Sequence, residues 1–398
     1  MKISYGKNVY GVEEINAVNR VLRKSTQLGK NVENFEKKIS NLFKKQYGLM
    51  VNSGSSALTL ALDVLNLKKN DEVITPCLNF GTPVSAIIKS TAKPIFVDID
   101  IDTLQININS LKKKITKSTK VILVPNLIGN LPSWKEIYKI AKKNKLKIIE
   151  DSADTLNASI NGKSTGIYSD ISITSFYGSH IISCAGNGGM FLTNNKKYFY
   201  KAKILRSWGR ESTLLKNSEN IKDRLKIKLK GVQFDKKFVF SEIGYNFEPS
   251  EIGASFGLEQ LKKFKKFEKI RNHNFNSHKK FFSGFKEYFI IPRLIDGAKT
   301  NFLAYPIILK NTKKFNREDL QIYLEKSNIQ TRPIFSGNIL RHPAFNYLAT
   351  KNNKINSFPN ADYVMKNGIL VGCHQGLKNK DIDKIHQTII KFINFKIK

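Results

Sequence analysis

Three short stretches carry residue types suited to chemistry, and each follows an apolar run of strand length. Asn52-Ser53-Gly54-Ser55-Ser56 comes directly after Tyr47-Gly48-Leu49-Met50-Val51. Small hydroxyl residues around a glycine at a helix start can offer free amides to a phosphate, or simply cap the helix. Ile149-Glu150-Asp151-Ser152-Ala153-Asp154 places three acids at the end of a buried strand. A buried carboxylate needs a cation or several donors. A protonated heterocyclic nitrogen would serve Asp151, as would capping of the next helix. Ser175-Phe176-Tyr177-Gly178-Ser179-His180 ends a third run, and Gly186-Asn187-Gly188-Gly189 begins six residues later. An imidazole there can move protons near neutral pH, or sit satisfied in a loop. Further along, Arg332 and Arg341 offer planar forks for a diphosphate or a carboxylate, or serve structurally.

These stretches need a frame that brings strand ends together. From about residue 45 to 195, apolar runs such as Val121-Ile122-Leu123-Val124 alternate with helix-length amphipathic segments. That alternation predicts an α/β domain with a mostly parallel sheet covered on both faces. Ligands of such sheets sit at the carboxyl ends of the strands, where all three stretches fall. Residues 1–250 read as this large domain, with a polar, lysine-rich excursion at 212–240. Residues 251–398 read as a smaller α+β domain entered through a long helix from Glu251 to Ile270.

With 398 residues, 41% hydrophobic and 11% aromatic, the chain is expected to fold around more than one core. No apolar run approaches the length of a membrane span, and the N-terminus has no secretory pattern. A cytoplasmic location is therefore expected. The formal charge of +35 suggests nucleic acid, but it is carried by 57 scattered lysines and only ten arginines. Base-reading surfaces favour arginine, and no nucleic-acid motif is present, so the positive field points instead to small polyanions. Three distant cysteines, Cys77, Cys184 and Cys373, are too few for a disulfide framework or a four-thiolate cluster.

Taken together, the motifs resemble those of the DegT/DnrJ/StrS-type sugar aminotransferases, which are fold-type I pyridoxal phosphate (PLP) enzymes. The likeness spans nearly the whole chain. It includes Val32-Glu33-Asn34-Phe35-Glu36, Asn52 to Leu58, Asp71 to Pro76, Glu150-Asp151, Gly244-Tyr245-Asn246 with Glu251 and Gly257, and Thr331-Arg332-Pro333. The resemblance implies that Gly54, Ser55 and Ser175 hold the cofactor phosphate. It also implies that Phe80 stacks on the pyridine ring, that Asp151 pairs with the pyridinium nitrogen, and that Asp154 lies at the cofactor. Asn246 would reach the phosphate in a partner subunit, making a homodimer with shared sites.

One position departs from the aminotransferases. Where they carry a cofactor-bonding lysine five residues after the strand-end serine, this chain has His180. With Arg206-Ser207-Trp208-Gly209-Arg210 and Phe335 to Arg341, that resembles the 3-dehydratase branch. Its members remove the C3 hydroxyl of nucleotide-linked 4-keto-6-deoxyhexoses on the way to 3,6-dideoxysugars of lipopolysaccharide. The implied cofactor is PLP or its amine form, pyridoxamine 5′-phosphate (PMP), with glutamate as amino donor and His180 as acid and base. No metal is implied. One subtype carries a [2Fe–2S] cluster, but Ser152 and Ala153 stand beside the acidic motif and 211–240 has no cysteine, so no cluster is expected. The wording of Phe335 to Arg341 nevertheless resembles the cluster-bearing group, and Asn187 replaces a usual glutamate. Other readings are a nucleotide-sugar aminotransferase using another amine, for which Lys163 and Lys196-Lys197 are the nearest lysines, or a non-catalytic PLP-binding homologue.

Overall fold

The computed structural model describes residues 2–215, 220–350 and 353–397. Seven strands form the large sheet: β1 (Tyr47–Val51), β2 (Glu72–Pro76), β3 (Lys93–Val97), β4 (Thr119–Pro125), β5 (Lys147–Asp151), β6 (Ile171–Ser175) and β7 (Gly189–Thr193). Their spatial order is β1-β7-β6-β5-β4-β2-β3, and β7 runs antiparallel to both neighbours while the others are mutually parallel. The apolar runs are buried on both faces, as expected of a covered parallel sheet. In β4, Val121 and Leu123 enter the core under the helices Gly54–Asp63 and Lys196–Arg206. Ile122 and Val124 enter the opposite core, against Trp134, Ile137 and Ile140 of the helix Trp134–Lys143. Two-residue periodicity thus splits one apolar run between two layers.

Four antiparallel strands make the second sheet: β8 (Phe289–Ile290), β9 (Ala304–Leu309), β10 (Arg332–Pro333) and β11 (Gly368–Gly372), in the order β8-β9-β11-β10. It has its own core, where Phe275, Phe282, Tyr305 and Phe392 meet. The N-terminal segment packs into this second core, Ile3 pairing with Ile329, and Ala298-Lys299 pairs with Ser159-Ile160 in a small separate sheet.

The long helix extends well past the expected Ile270, running over 33 residues from Glu251 to Ser283. Arg271, Asn274 and His278 interrupt its apolar stripe in sequence, yet all three are buried. They are tolerated because each is hydrogen-bonded: Asn274 Nδ2 donates to the carbonyls of Cys373 and His374, for example. The excursion at 212–240 holds short pieces, a turn of helix at Ile221–Arg224 and a hairpin pairing Ile227–Leu229 with Val232–Phe234. Residues 216–219 lie outside the described residues.

Glu251 joins the long helix to the front of the molecule. Its buried carboxylate accepts from the amides of Gly29 (3.1 Å), Asn31 (2.8 Å) and Val32 (3.2 Å), the opening donors of the helix Lys30–Leu42. That helix has no side-chain cap of its own. Removing the acceptor in Glu251→Ala should cost about 2–4 kcal/mol, since several donors lose their partner away from water. A urea titration reads this as a lower midpoint, with Glu251→Gln, which keeps one acceptor oxygen, falling between.

Candidate active site

The turn after β1 answers both readings of Asn52–Ser56. Ser53 Oγ accepts from the Ser56 amide (3.1 Å) and caps the helix, while Ser56 Oγ donates to Asn52 Oδ1 (2.6 Å). The amides of Gly54 and Ser55, in the first turn, are left as the donors no intrahelical carbonyl can reach. A Cβ on Gly54 would stand 2.8 Å from Ser175 Cβ, so glycine lets the ends of β1 and β6 close around one point. The result is an anion cradle at a helix N-terminus, completed by Ser175.

The adjacent acids at the end of β5 point to opposite faces and meet opposite fates. Glu150 is fully buried and accepts from Asn126 Nδ2 (3.0 Å), Ser172 Oγ (2.7 Å) and Ser152 Oγ (3.2 Å). Asp151, also buried, has a single donor, the Ala153 amide at 3.0 Å. Burial pushes its pKa up to about 6 against that one bond, and the charge of Glu150 adds to the rise. Asp154 is pushed up to about 7, again chiefly by burial, while its Oδ2 accepts from the Ile128 amide at 2.8 Å. A neighbouring N–H cation would stabilise the ionised form of either acid.

His180 closes the far wall. Its amide donates to the Tyr177 carbonyl (2.9 Å) and its carbonyl accepts from Arg271 Nη2 (3.3 Å). Among the described residues its buried Nδ1 has no hydrogen-bond partner. Burial pushes the imidazole down to about 4; the Ser175 backbone opposes this and the Arg271 charge reinforces it. At neutral pH the ring is an uncharged proton acceptor. Phe80, 56% exposed, faces Phe335 edge-on at 6.0 Å across the mouth.

These groups enclose a cavity of about 400 Å³. A family model described as the DegT/DnrJ/EryC1/StrS aminotransferase family matches residues 9–390. The chain belongs to that family. Members with known names include the GDP-4-keto-6-deoxy-D-mannose 3-dehydratase of Escherichia coli O55:H7, to which this chain is 32% identical over 392 residues, covering 94% of it and 96% of the relative. The lipopolysaccharide biosynthesis protein RfbH of Salmonella typhimurium is 31% identical over 374 residues, covering 91% and 85%. A solved GDP-4-keto-6-deoxymannose-3-dehydratase with a trapped PLP-glutamate geminal diamine is 29% identical with a TM-score of 0.83, covering 97% of this chain and 99% of that one. The mixed α/β fold expected from the sequence is that of these PLP enzymes.

The residues present fit the family's cofactor, pyridoxal 5′-phosphate. Gly54, Ser55 and Ser175 would take the phosphate, Asp151 the ring nitrogen, and the open face of Phe80 the ring. The unmatched carboxylate of Asp151 and the glycine-lined cradle are what the cofactor's positive nitrogen and negative phosphate complement. Where the family's aminotransferases have their lysine, the cavity has His180, and no lysine lines it among the described residues. Asn187 lies on its edge.

Gly54, Ser55, Phe80, Asp151, Asp154, Ser175 and His180 are brought together as expected. Asn246, expected to serve a partner subunit's phosphate, is exposed on its own chain, its carbonyl accepting from Asn52 Nδ2 at 3.4 Å. The two arginines lie outside this cavity. Arg332 lines an adjoining pocket of about 490 Å³ that shares Tyr5, Phe80 and Phe335 with the first. Arg341 makes a bidentate pair with Asp362 (2.6 and 2.7 Å) and lines neither. Sequence reasoning missed Tyr5, Asn79 and Thr82, which also line the cavity. Asn79 was legible beside Phe80; Tyr5 arrives from the N-terminus with no local signal. Among the described residues no group of three or more His, Cys, Asp or Glu is arranged for a metal, and no helix is long and apolar enough to cross a membrane.

Cofactor binding should report Asp151 directly. Asp151→Ala removes the charged partner of the ring nitrogen and should weaken PLP uptake about 100-fold. In the unaltered protein, pairing needs the carboxylate, so affinity should hold above pH 6 and fall by about tenfold per unit below it. Absorbance titrations of the cofactor across pH 5–8 check both.

Proposed function

We propose that this chain is a PLP/PMP-dependent 3-dehydratase that removes the C3 hydroxyl of a nucleotide-linked 4-keto-6-deoxyhexose, toward 3,6-dideoxysugars of lipopolysaccharide. The observation that carries the reading is a neutral imidazole in the cavity where the amine-transferring relatives hold a lysine. When bound in its amine form, the cofactor would supply an amino group for the sugar's C4 ketone and a ring that accepts electrons; the nitrogen would leave the product as ammonia, and glutamate would replace it.

The chain's own residues divide the remaining work. Asp151 holds a proton on the ring nitrogen, which keeps the ring an electron acceptor. Gly54, Ser55 and Ser175 fix the phosphate and with it the position of the reacting carbon. His180, uncharged at neutral pH, accepts a proton at its imidazole and, once charged, returns it to the departing C3 hydroxyl. Walls formed by Phe80, Phe335 and Leu303 keep bulk water from the reacting atoms. We assign Arg332, in the adjoining pocket, to the diphosphate. Arg341 is committed to Asp362, so we assign it no substrate contact.

We further propose a homodimer. The excursion and the residues after it expose Val232, Phe238, Phe240 and Ile243, the last at 97%, a concentration of apolar surface that a second copy would cover. Asn246, shortly after the excursion, would then serve the partner's phosphate. The glutamate adduct in the solved relative supports glutamate as the donor, and three buried free cysteines suit a reducing cytoplasm.

His180→Asn should lower hydroxyl loss from GDP-4-keto-6-deoxy-D-mannose by at least about 1,000-fold, in the range of a lost acid-base group, while leaving PLP absorbance nearly intact. Mass spectrometry of products, with glutamate and without a reductase, reads the reaction. Borohydride treatment of the unaltered holoenzyme should trap no cofactor on lysine. A trapped lysine adduct would instead support the aminotransferase reading, and a variant that dehydrates normally would move the proton transfer elsewhere.

A further inference from the structure

The cation nearest to the His180 loop is one the chemistry above does not use. Arg271, on the long helix, is fully buried, and among the described residues it has no carboxylate within ion-pairing distance. Burying a guanidinium with no carboxylate beside it is costly. Its hydrogen bonds show what it holds. Nε donates to Gln375 Oε1 (2.6 Å), Nη1 to the carbonyls of Phe302 (2.8 Å) and Leu303 (3.2 Å), and Nη2 to the carbonyl of His180 (3.3 Å). Four acceptors from three separate segments converge on one planar fork. A lysine ammonium, with three donors on a single nitrogen, cannot span them.

We propose that Arg271 is a positioning residue for the proton transfer: it ties the His180 carbonyl to the segment entering β9 and to Gln375 beyond β11, and so fixes the imidazole in the cavity wall. The inference rests on the reading that His180 moves the proton. Leu303, one of the residues tied, is itself a wall of the cavity. The second sheet therefore sets where the base stands, although the base belongs to the first.

The guanidinium charge has a second effect at the same point. A cation beside His180 disfavours another cation on the imidazole, so the ring stays ready to accept a proton. The titratable groups facing this pair are Tyr5 from the N-terminal segment, Asp151 and Asp154 from the end of β5, and Cys373 and His374 after β11. Burial raises Tyr5 and takes Cys373 up to about 12, so both stay neutral, and it pushes His374 down to about 4.

Two substitutions separate position from charge. Gln375→Glu keeps the shape of the residue that receives Nε but neutralises the guanidinium. Arg271→Lys keeps the charge but loses the fork. Histidine ¹⁵N spectra of PLP-loaded protein, with the His180 signal identified by its loss in His180→Asn, follow the ring through a pH titration. Gln375→Glu should raise the His180 midpoint by about one pH unit or more. It should shift the acid limb of the kcat/KM profile the same way. Arg271→Lys should lower kcat about tenfold with KM within about threefold, the loss expected of a displaced base. An unmoved His180 midpoint in Gln375→Glu, or an Arg271→Lys enzyme with unaltered kcat, overturns the proposal. Should the unaltered protein dehydrate no sugar, the dehydratase reading fails, and the imidazole titration still decides whether Arg271 governs His180.

Discussion

The site is organised around a carboxylate left short of partners. Glu150 and Asp151 are neighbours on one buried strand, so the pleat sends them to opposite faces of the sheet. Glu150 is answered by three side-chain donors from the surrounding layers, and it closes that side of the core. Asp151 receives one backbone amide and otherwise faces the cavity. In the proposed reading, that unmatched charge would receive a cationic ring nitrogen and so orient everything bound with it. The phosphate would then fall at the helix start opened by Gly54, and the reactive end of the ring would face His180.

Within that arrangement, exchanging an amine for an imidazole changes which chemistry the same frame supports. A lysine would bond the cofactor covalently. An imidazole would leave it held by its phosphate, its ring face and its ring nitrogen. The environment suits the new role, since burial and the nearby guanidinium keep the ring uncharged at neutral pH. The fold contributes by letting two sheets share one crevice. Tyr5 and Leu303 reach the cavity from segments that pack with the second sheet, while the cradle and both acids come from the first.

Much of this was legible in the residues because it is local. Strand-end motifs announced the crevice, since an apolar run followed by glycine, serine or acid is how a buried strand meets a ligand. Continuous apolar runs separated by helix-length amphipathic segments foretold the covered sheet. Where local reasoning stopped, it stopped for identifiable reasons. Arg332 and Arg341 are nine residues apart and chemically identical, and nothing nearby in sequence marks that one faces a pocket while the other pairs with Asp362. The expected helix end at Ile270 falls just before Arg271, Asn274 and His278, whose polar types carry no local sign that the helix continues in a buried setting. Burial with full hydrogen bonding is a property of what packs around them.

The sequence by itself determined the layers, the strand ends, the acids and glycines at those ends, and the imidazole in place of a lysine. These depend on contacts between residues close along the chain, where periodicity and turn chemistry act. Tertiary structure alone decided which of two adjacent acids stays unmatched, which arginine faces a pocket, and how a buried guanidinium ties the His180 loop to Phe302, Leu303 and Gln375, all distant along the chain. Those outcomes depend on the donors that distant segments supply, and no local pattern encodes the identity of a distant neighbour.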